Sequence, residues 1–194
     1  VCACLAISAT RNGDKVGLVA FGDRVVRYVP PKKGLGHAMR LVRDTLALPA
    51  VAGPTDPAPA LELVARATRR RAIIFLVSDF LHDLAPRVLP LAARRHDVIA
   101  VRLLSPELEL ARAGLVRVHD PETGGETVLD TGSARVRAAW AQRVAGWRAR
   151  TEETLRRAKV DLLDVPVPRA PGKDLVTGPI LRFFRMRERR GAKR

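Results

Sequence analysis

The sequence predicts an α/β domain built on a mainly parallel sheet with helices on its faces. Three observations carry that reading. Val16–Phe21, Ala72–Val77 and Asp97–Leu103 are short, strongly apolar segments bounded by turn residues. Segments of this kind are strands covered on both faces, as in a parallel sheet. Helical spacing occupies Gly36–Leu48, a stretch from Pro57 to about Arg70, and Pro86–Arg95, so strands and helices alternate.

Each element follows from local chemistry. Asn12-Gly13-Asp14 is a turn signal ahead of the first strand. Gly22-Asp23 then leads to Val25–Val29, which Pro30-Pro31 should stop. So short a link permits only an antiparallel hairpin, and the prolines put this second strand at a sheet edge. Met39, Leu41, Val42 and Leu46 mark the apolar positions of the first long helix. Thr55 or Asp56 is placed to cap the next helix, with Pro57 in its first turn and Leu61, Val64 and Ala65 facing inward. Leu115–Val118 and Thr127–Leu129 flank Asp120-Pro121-Glu122-Thr123-Gly124-Gly125 and read as a hairpin on a longer loop. Ser133 should cap a helix reaching about Lys159, with Val136, Trp140, Val144, Trp147 and Leu155 as its inner stripe. Val160–Val165 reads as a further strand and Leu175–Arg190 as a last helix.

Composition narrows the function classes. A chain of 194 residues with 47% hydrophobic residues buries a core without disulfides or metals. That excludes collagen-like and disordered classes. Aromatics are only 4%, so the core must be Leu, Val and Ala. No run of about 18 uncharged apolar residues occurs, so no transmembrane helix is expected. Val1–Ile7 is apolar but short and has no basic leader, which makes it a poor signal peptide. Cys2 and Cys4 are too close to bond to each other, and no partner ligands follow. They read as small apolar residues in a reducing, cytoplasmic setting.

The net charge of +15 is uneven. Residues 132–194 carry 17 basic and 6 acidic groups, against 18 and 14 in residues 1–131. Such an excess attracts anionic partners. Arg outnumbers Lys 29 to 6, which the base composition of a GC-rich genome would also explain. The basic helices lack interleaved exposed aromatics, so nucleic acid is not the expected partner.

Motifs for chemistry are few. His37, His82, His96 and His119 lack metal-ligand spacing. No Gly-x-Ser-x-Gly elbow and no phosphate-binding Gly-x-x-x-x-Gly-Lys-Ser/Thr loop is present, so neither esterase chemistry nor ATP hydrolysis is expected of this chain. Two side chains stand out because function in open α/β sheets gathers at the carboxyl ends of strands. Asp79 follows the strand Ala72–Val77, and Thr55 lies in the loop before a helix. A carboxylate and a hydroxyl are hard oxygen donors suited to Mg²⁺. The same residues also serve as turn formers and helix caps.

Several segments together resemble the domain of unknown function 58 family. They are Asn12–Asp23, Tyr28–Gly34, Leu76–Phe80, Arg94–Arg102, Asp120–Gly124 and Leu181–Arg185. The resemblance implies a von Willebrand factor type A-like fold and no enzymatic activity. It also implies a partnership with a MoxR-type AAA+ ATPase. Type A domains hold a metal-ion-dependent adhesion site on three loops. Thr55 matches the second loop's Thr and Asp79 the third loop's Asp. The first loop's Asp-x-Ser-x-Ser occurs nowhere in the chain.

Since the chain also opens without Met, in mid apolar run, an N-terminally truncated domain is expected, with its opening strand missing. The strands at Val16–Phe21 and Ala72–Val77 should then be unpaired, about 10 Å apart.

The expected organisation is a partial domain over 1–131, with a hairpin near 115–130, and a basic helical extension over 132–194 packed on it. The expected function is a non-enzymatic adaptor or co-chaperone domain for a MoxR-type ATPase. Thr55 and Asp79 form its incomplete metal site. Mg²⁺ there would reach an acidic protein partner in the longer protein and is not expected to bind this chain alone. The alternatives are a basic binder of nucleic acid or anionic surfaces, through 135–159 and 182–194, and a metal-assisted hydrolase using Asp79.

Overall fold

The computed structural model describes residues 1–49, 53–82, 84–120, 124–168 and 173–191. Residues 50–52, 83, 121–123, 169–172 and 192–194 lie outside the described residues, and with them part of the Asp120–Gly125 segment that the sequence reads as a hairpin loop. The elements are α1 (Cys2–Arg11), β1 (Val16–Phe21), β2 (Val25–Lys32), α2 (Leu35–Leu46), α3 (Ala58–Ala67), β3 (Ile73–Ser78), α4 (Val88–Arg95), β4 (Asp97–Leu104), β5 (Leu115–His119), β6 (Glu126–Asp130), α5 (Ala134–Arg157), β7 (Asp161–Pro166) and α6 (Lys173–Gly191). The α/β class is as expected.

The central layer is the parallel sheet β3-β4-β7. Its middle strand is the most apolar and the most deeply covered, with Val98, Ile99, Ala100 and Val101 all buried. Alternation along β4 divides the core in two. Val98 and Ala100 join Leu61 of α3, Leu89 and Ala92 of α4, and Leu155 of α5. Ile99 and Val101 join Ile180 and Phe183 of α6, with Leu5 of α1 packed beside them. Helices therefore cover both faces, α3, α4 and α5 on one and α1 and α6 on the other. Arg187 of α6 fastens that second layer, reaching Asp97 at 2.8 Å and Asp161 at 3.3 Å.

β1 and β2 form a separate antiparallel pair, and β5 and β6 another. Among the described residues no ladder joins β1 to β3. The two strands are not paired with each other, as expected, yet Phe21 of β1 packs against the cluster that holds Leu76 of β3. β7 pairs in register with β4, so the segment after residue 131 supplies a strand to the central sheet.

Some details differ from the sequence reading. β2 runs through Pro30 and Pro31 to Lys32. It pairs only with β1, so the missing N–H groups fall where a ladder can spare them. β1 is half-buried rather than fully covered, and Ile73 at the start of β3 is 58% exposed. Both follow from the unpaired edges. Met39 and Leu46 of α2 face solvent, while Ala38 and Leu41 turn inward. Gly17 sits at a register shift in β1, where a Cβ would lie 2.9 Å from the Val29 carbonyl oxygen. Only glycine admits that approach.

Candidate functional site: the loop after β3

β3 delivers Ser78 and then Asp79 to the carboxyl end of the sheet. Asp79 is exposed. Its Oδ1 accepts from the Leu81 amide at 3.1 Å and faces the Ser78 hydroxyl at 3.4 Å. The Ser78 oxygen in turn accepts from the Phe80 amide at 3.1 Å and lies 2.9 Å from Nε2 of His82. Sequence reading missed this Ser–His contact, although Ser and His four residues apart were its available signal. The hydroxyl has one proton to share between Asp79 and His82, and its lone pair holds the turn. The arrangement is scaffolding for Asp79.

The loop is anchored from behind. Phe80 is buried at 1% exposure and adopts a left-handed backbone, φ 56°. A bulky residue seldom does so, and here burial of the ring fixes it. Its carbonyl accepts from Trp147 Nε1 at 2.7 Å. Trp147 also stacks over the guanidinium of Arg102, 5.3 Å from the ring centroid. Both tryptophans thus pack with their indole N–H satisfied, Trp140 donating to the Leu108 carbonyl at 2.9 Å.

Arg102 is the second feature that the motifs did not reveal. It occupies a β4 position between Ser78 of β3 and Asp164 of β7, fully buried. Its Nε and Nη2 each donate to Asp164 at 2.8 Å, and Nη2 reaches Glu152 of α5 at 2.9 Å. Nη1 lies 3.4 Å from the Arg148 carbonyl. Burial alone would lower its pKa, but the bonds to Asp164 and Glu152 outweigh that and raise it. The guanidinium is therefore a fixed positive charge that ties α5 to the sheet immediately behind the Asp79 loop.

Thr55 is half-buried in the loop before α3 and makes no hydrogen bond among the described residues. Its neighbour Asp56 does the local structural work. The Asp56 amide donates to the Gly22 carbonyl at 2.9 Å, and its Oδ1 accepts from Ala58 at 2.8 Å. The N-cap position of α3 is Pro57, so neither Thr55 nor Asp56 is its cap residue; Asp56 instead holds the turn into the helix, and the loop is tied to the end of β1. Phe21, Leu61 and Phe80 share one core cluster, so the Thr55 and Asp79 loops border the same packed region. The two side chains share no hydrogen bond.

The donor types suit Mg²⁺, which prefers carboxylate and hydroxyl oxygens and keeps several waters. Among the described residues, Asp79 Oδ2 and Thr55 Oγ1 have no hydrogen-bond partner. Among the described residues no group of three or more His, Cys, Asp or Glu side chains converges. Thr55 Oγ1 and Asp79 Oδ2 are thus of the donor type that Mg²⁺ takes, and two such oxygens do not by themselves complete a shell. A cavity of about 360 Å³ lies elsewhere, between Val1, Cys2, Val42, Leu46, Leu103 and Val165, with no charged side chain in its wall.

The basic stretches do not form one surface. α5 lies on the face of Leu155, and α6 on the opposite face with Ile180 and Phe183. Among the described residues no helix is long and apolar enough to cross a membrane.

Fold and site together define a class: an α/β domain with helices on both sheet faces and an exposed aspartate on an anchored loop at the end of a parallel strand. The chain belongs to the family described as protein of unknown function DUF58, whose model matches residues 1–150. It is 33% identical over 185 residues to an uncharacterised protein of Mycobacterium bovis and, equally, to one of Mycobacterium tuberculosis. Each match covers 93% of this chain and 56% of the relative, so the chain spans about half the length of these relatives. An uncharacterised Mycobacterium avium protein is 33% identical over 170 residues, 84% of this chain and 95% of its own. No solved structure matches.

Proposed function

We propose that this chain is a non-catalytic protein-interaction domain of von Willebrand factor type A-like design. It acts as an adaptor or co-chaperone for a MoxR-type AAA+ ATPase in the cytoplasm. The carrying observation is the Asp79 loop: its exposed carboxylate accepts from the Leu81 amide and faces the Ser78 hydroxyl, on a loop anchored by buried Phe80 and the Trp147 bond to the Phe80 carbonyl. A carboxylate held this firmly loses little entropy when a metal or partner engages it. In the longer protein, Mg²⁺ bound in part by Thr55 and Asp79 would offer an open position to an acidic residue of the partner. The unpaired edges of β1 and β3 support the same fold reading, since a strand between them would complete one sheet. The metal site and the ATPase partner both rest on the family resemblance together with this geometry.

The test uses the longer protein and a purified MoxR-type ATPase from the same genome. Binding in Mg²⁺ should fall at least tenfold in EDTA and in the Asp79→Ala variant. Equal affinity in all three conditions would remove the metal bridge.

A further inference from the structure

The outward face of α5 carries positive charge that the fold leaves unused. Arg135, Arg143 and Arg150 are exposed, and none has a carboxylate partner among the described residues. The only two acids of α5 are already engaged. Glu152 serves buried Arg102 at 2.9 Å, and Glu153 holds Arg156 at 2.6 Å and Arg157 at 2.7 Å. Successive spacings of eight and seven residues put the three arginines within about 80° of one another around the helix, at rises of ~12 and ~10.5 Å. The opposite side of α5 is pinned to the core by Thr151 and Leu155. The face is therefore fixed in place and points away from the sheet.

We propose that this face docks an acidic α-helix of a partner protein, one carboxylate meeting each arginine. Three features favour a helix. The charges run along a straight element at nearly even intervals, close to the seven-residue repeat that one helix presents to another lying alongside. Duplex DNA would present phosphates across grooves of unequal width, about 12 and 6 Å, which an even ladder does not match. The basic residues of α6 sit on the other side of the molecule, so α5 acts alone rather than within a broad cationic footprint. Arginine suits the task because its planar fork pairs two-to-two with a carboxylate. The surface is separate from the Asp79 loop and needs no metal, so its failure and that of the metal bridge are told apart.

The experiment uses the whole 194-residue chain in EDTA at low salt. The probe is a fluorescent four-heptad helical peptide with one Glu per heptad on a single face. A peptide of the same composition with its Glu residues scattered around the helix is the control. Anisotropy should show at least tenfold tighter binding of the ordered peptide, weakening as salt rises. R135E/R143E/R150E should lose at least tenfold with an unchanged circular dichroism spectrum, and the milder R143Q/R150Q should move the same way. D79A should bind as the parent does. Equal affinity for both peptides would overturn the proposal, as would undiminished binding by the charge-reversed variant. A 20-base-pair duplex that binds more tightly than the ordered peptide and displaces it would assign the face to nucleic acid instead.

Discussion

Removing the carboxylate of Asp164 tests how the buried charge behind the Asp79 loop is held. Arg102 is fully buried and gives two 2.8 Å bonds to Asp164. Charge-assisted bonds of this kind contribute roughly 1.5–3 kcal/mol each, and stranding one partner of a buried pair costs about 3–5 kcal/mol. The Asp164 side chain is 41% exposed, so water reaches the vacated space and screens part of that loss. Asp164→Ala should therefore destabilise the fold by roughly 2–4 kcal/mol. Glu152 is 55% exposed and makes one contact, so Glu152→Ala should cost only about 1 kcal/mol. The decisive variant is Arg102→Met combined with Asp164→Ala. It removes the charge as well as its partner and fills much of the same volume. Urea unfolding at pH 7, followed by the fluorescence of Trp147 and Trp140, supplies the free energies. The double variant should be more stable than the sum of the singles by at least about 1.5 kcal/mol. Strict additivity would refute the picture of an otherwise uncompensated buried charge.

Other outcomes follow from single contacts. His96 is 1% exposed and both ring nitrogens lack a hydrogen-bond partner among the described residues, and burial, then Arg95, lower its pKa below 6.5. The neutral ring is the folded form, so its contribution is complete above pH 6.5 and is lost as pH falls toward the depressed folded value. Thermal unfolding from pH 7.5 to 5 should show this drop, and His96→Leu should flatten it. Gly17→Ala forces a Cβ to 2.9 Å from the Val29 carbonyl oxygen and should cost about 1–3 kcal/mol in urea unfolding. Trp147→Phe removes the bond to the Phe80 carbonyl and should cost about 1–2 kcal/mol, with the amide signals of residues 78–82 shifting most.

Much of the architecture was legible because it depends on pattern. The apolar run Val98–Val101 is covered on both faces and could be read as a central strand without any partner in view. Asp79 could be placed at a strand's end for the same reason. The chemistry around it was less legible because its partners come from far along the chain. Arg102 gave one local hint, a charge inside an apolar strand, and Asp164 gave another inside Val160–Val165. Their pairing depends on β4 lying beside β7 in one particular register, which no local spacing states. The exposure of Ile73 was likewise hidden, since an apolar run does not say that its strand lacks a neighbour. Pro30 and Pro31 misled for a related reason, because a proline stops a strand only where the ladder needs its N–H.

The proposed cation-binding edge joins the Thr55 and Asp79 loops. The most direct measurement is titration of Mn²⁺, a paramagnetic stand-in for Mg²⁺, into isotopically labelled longer protein while amide signals are recorded. Selective broadening of Thr55, Asp56, Asp79 and Phe80, abolished by Asp79→Ala, is the expected result. Broadening confined to other acidic residues such as Glu152 and Glu153, or none at millimolar metal, would rule out a cation site on these loops.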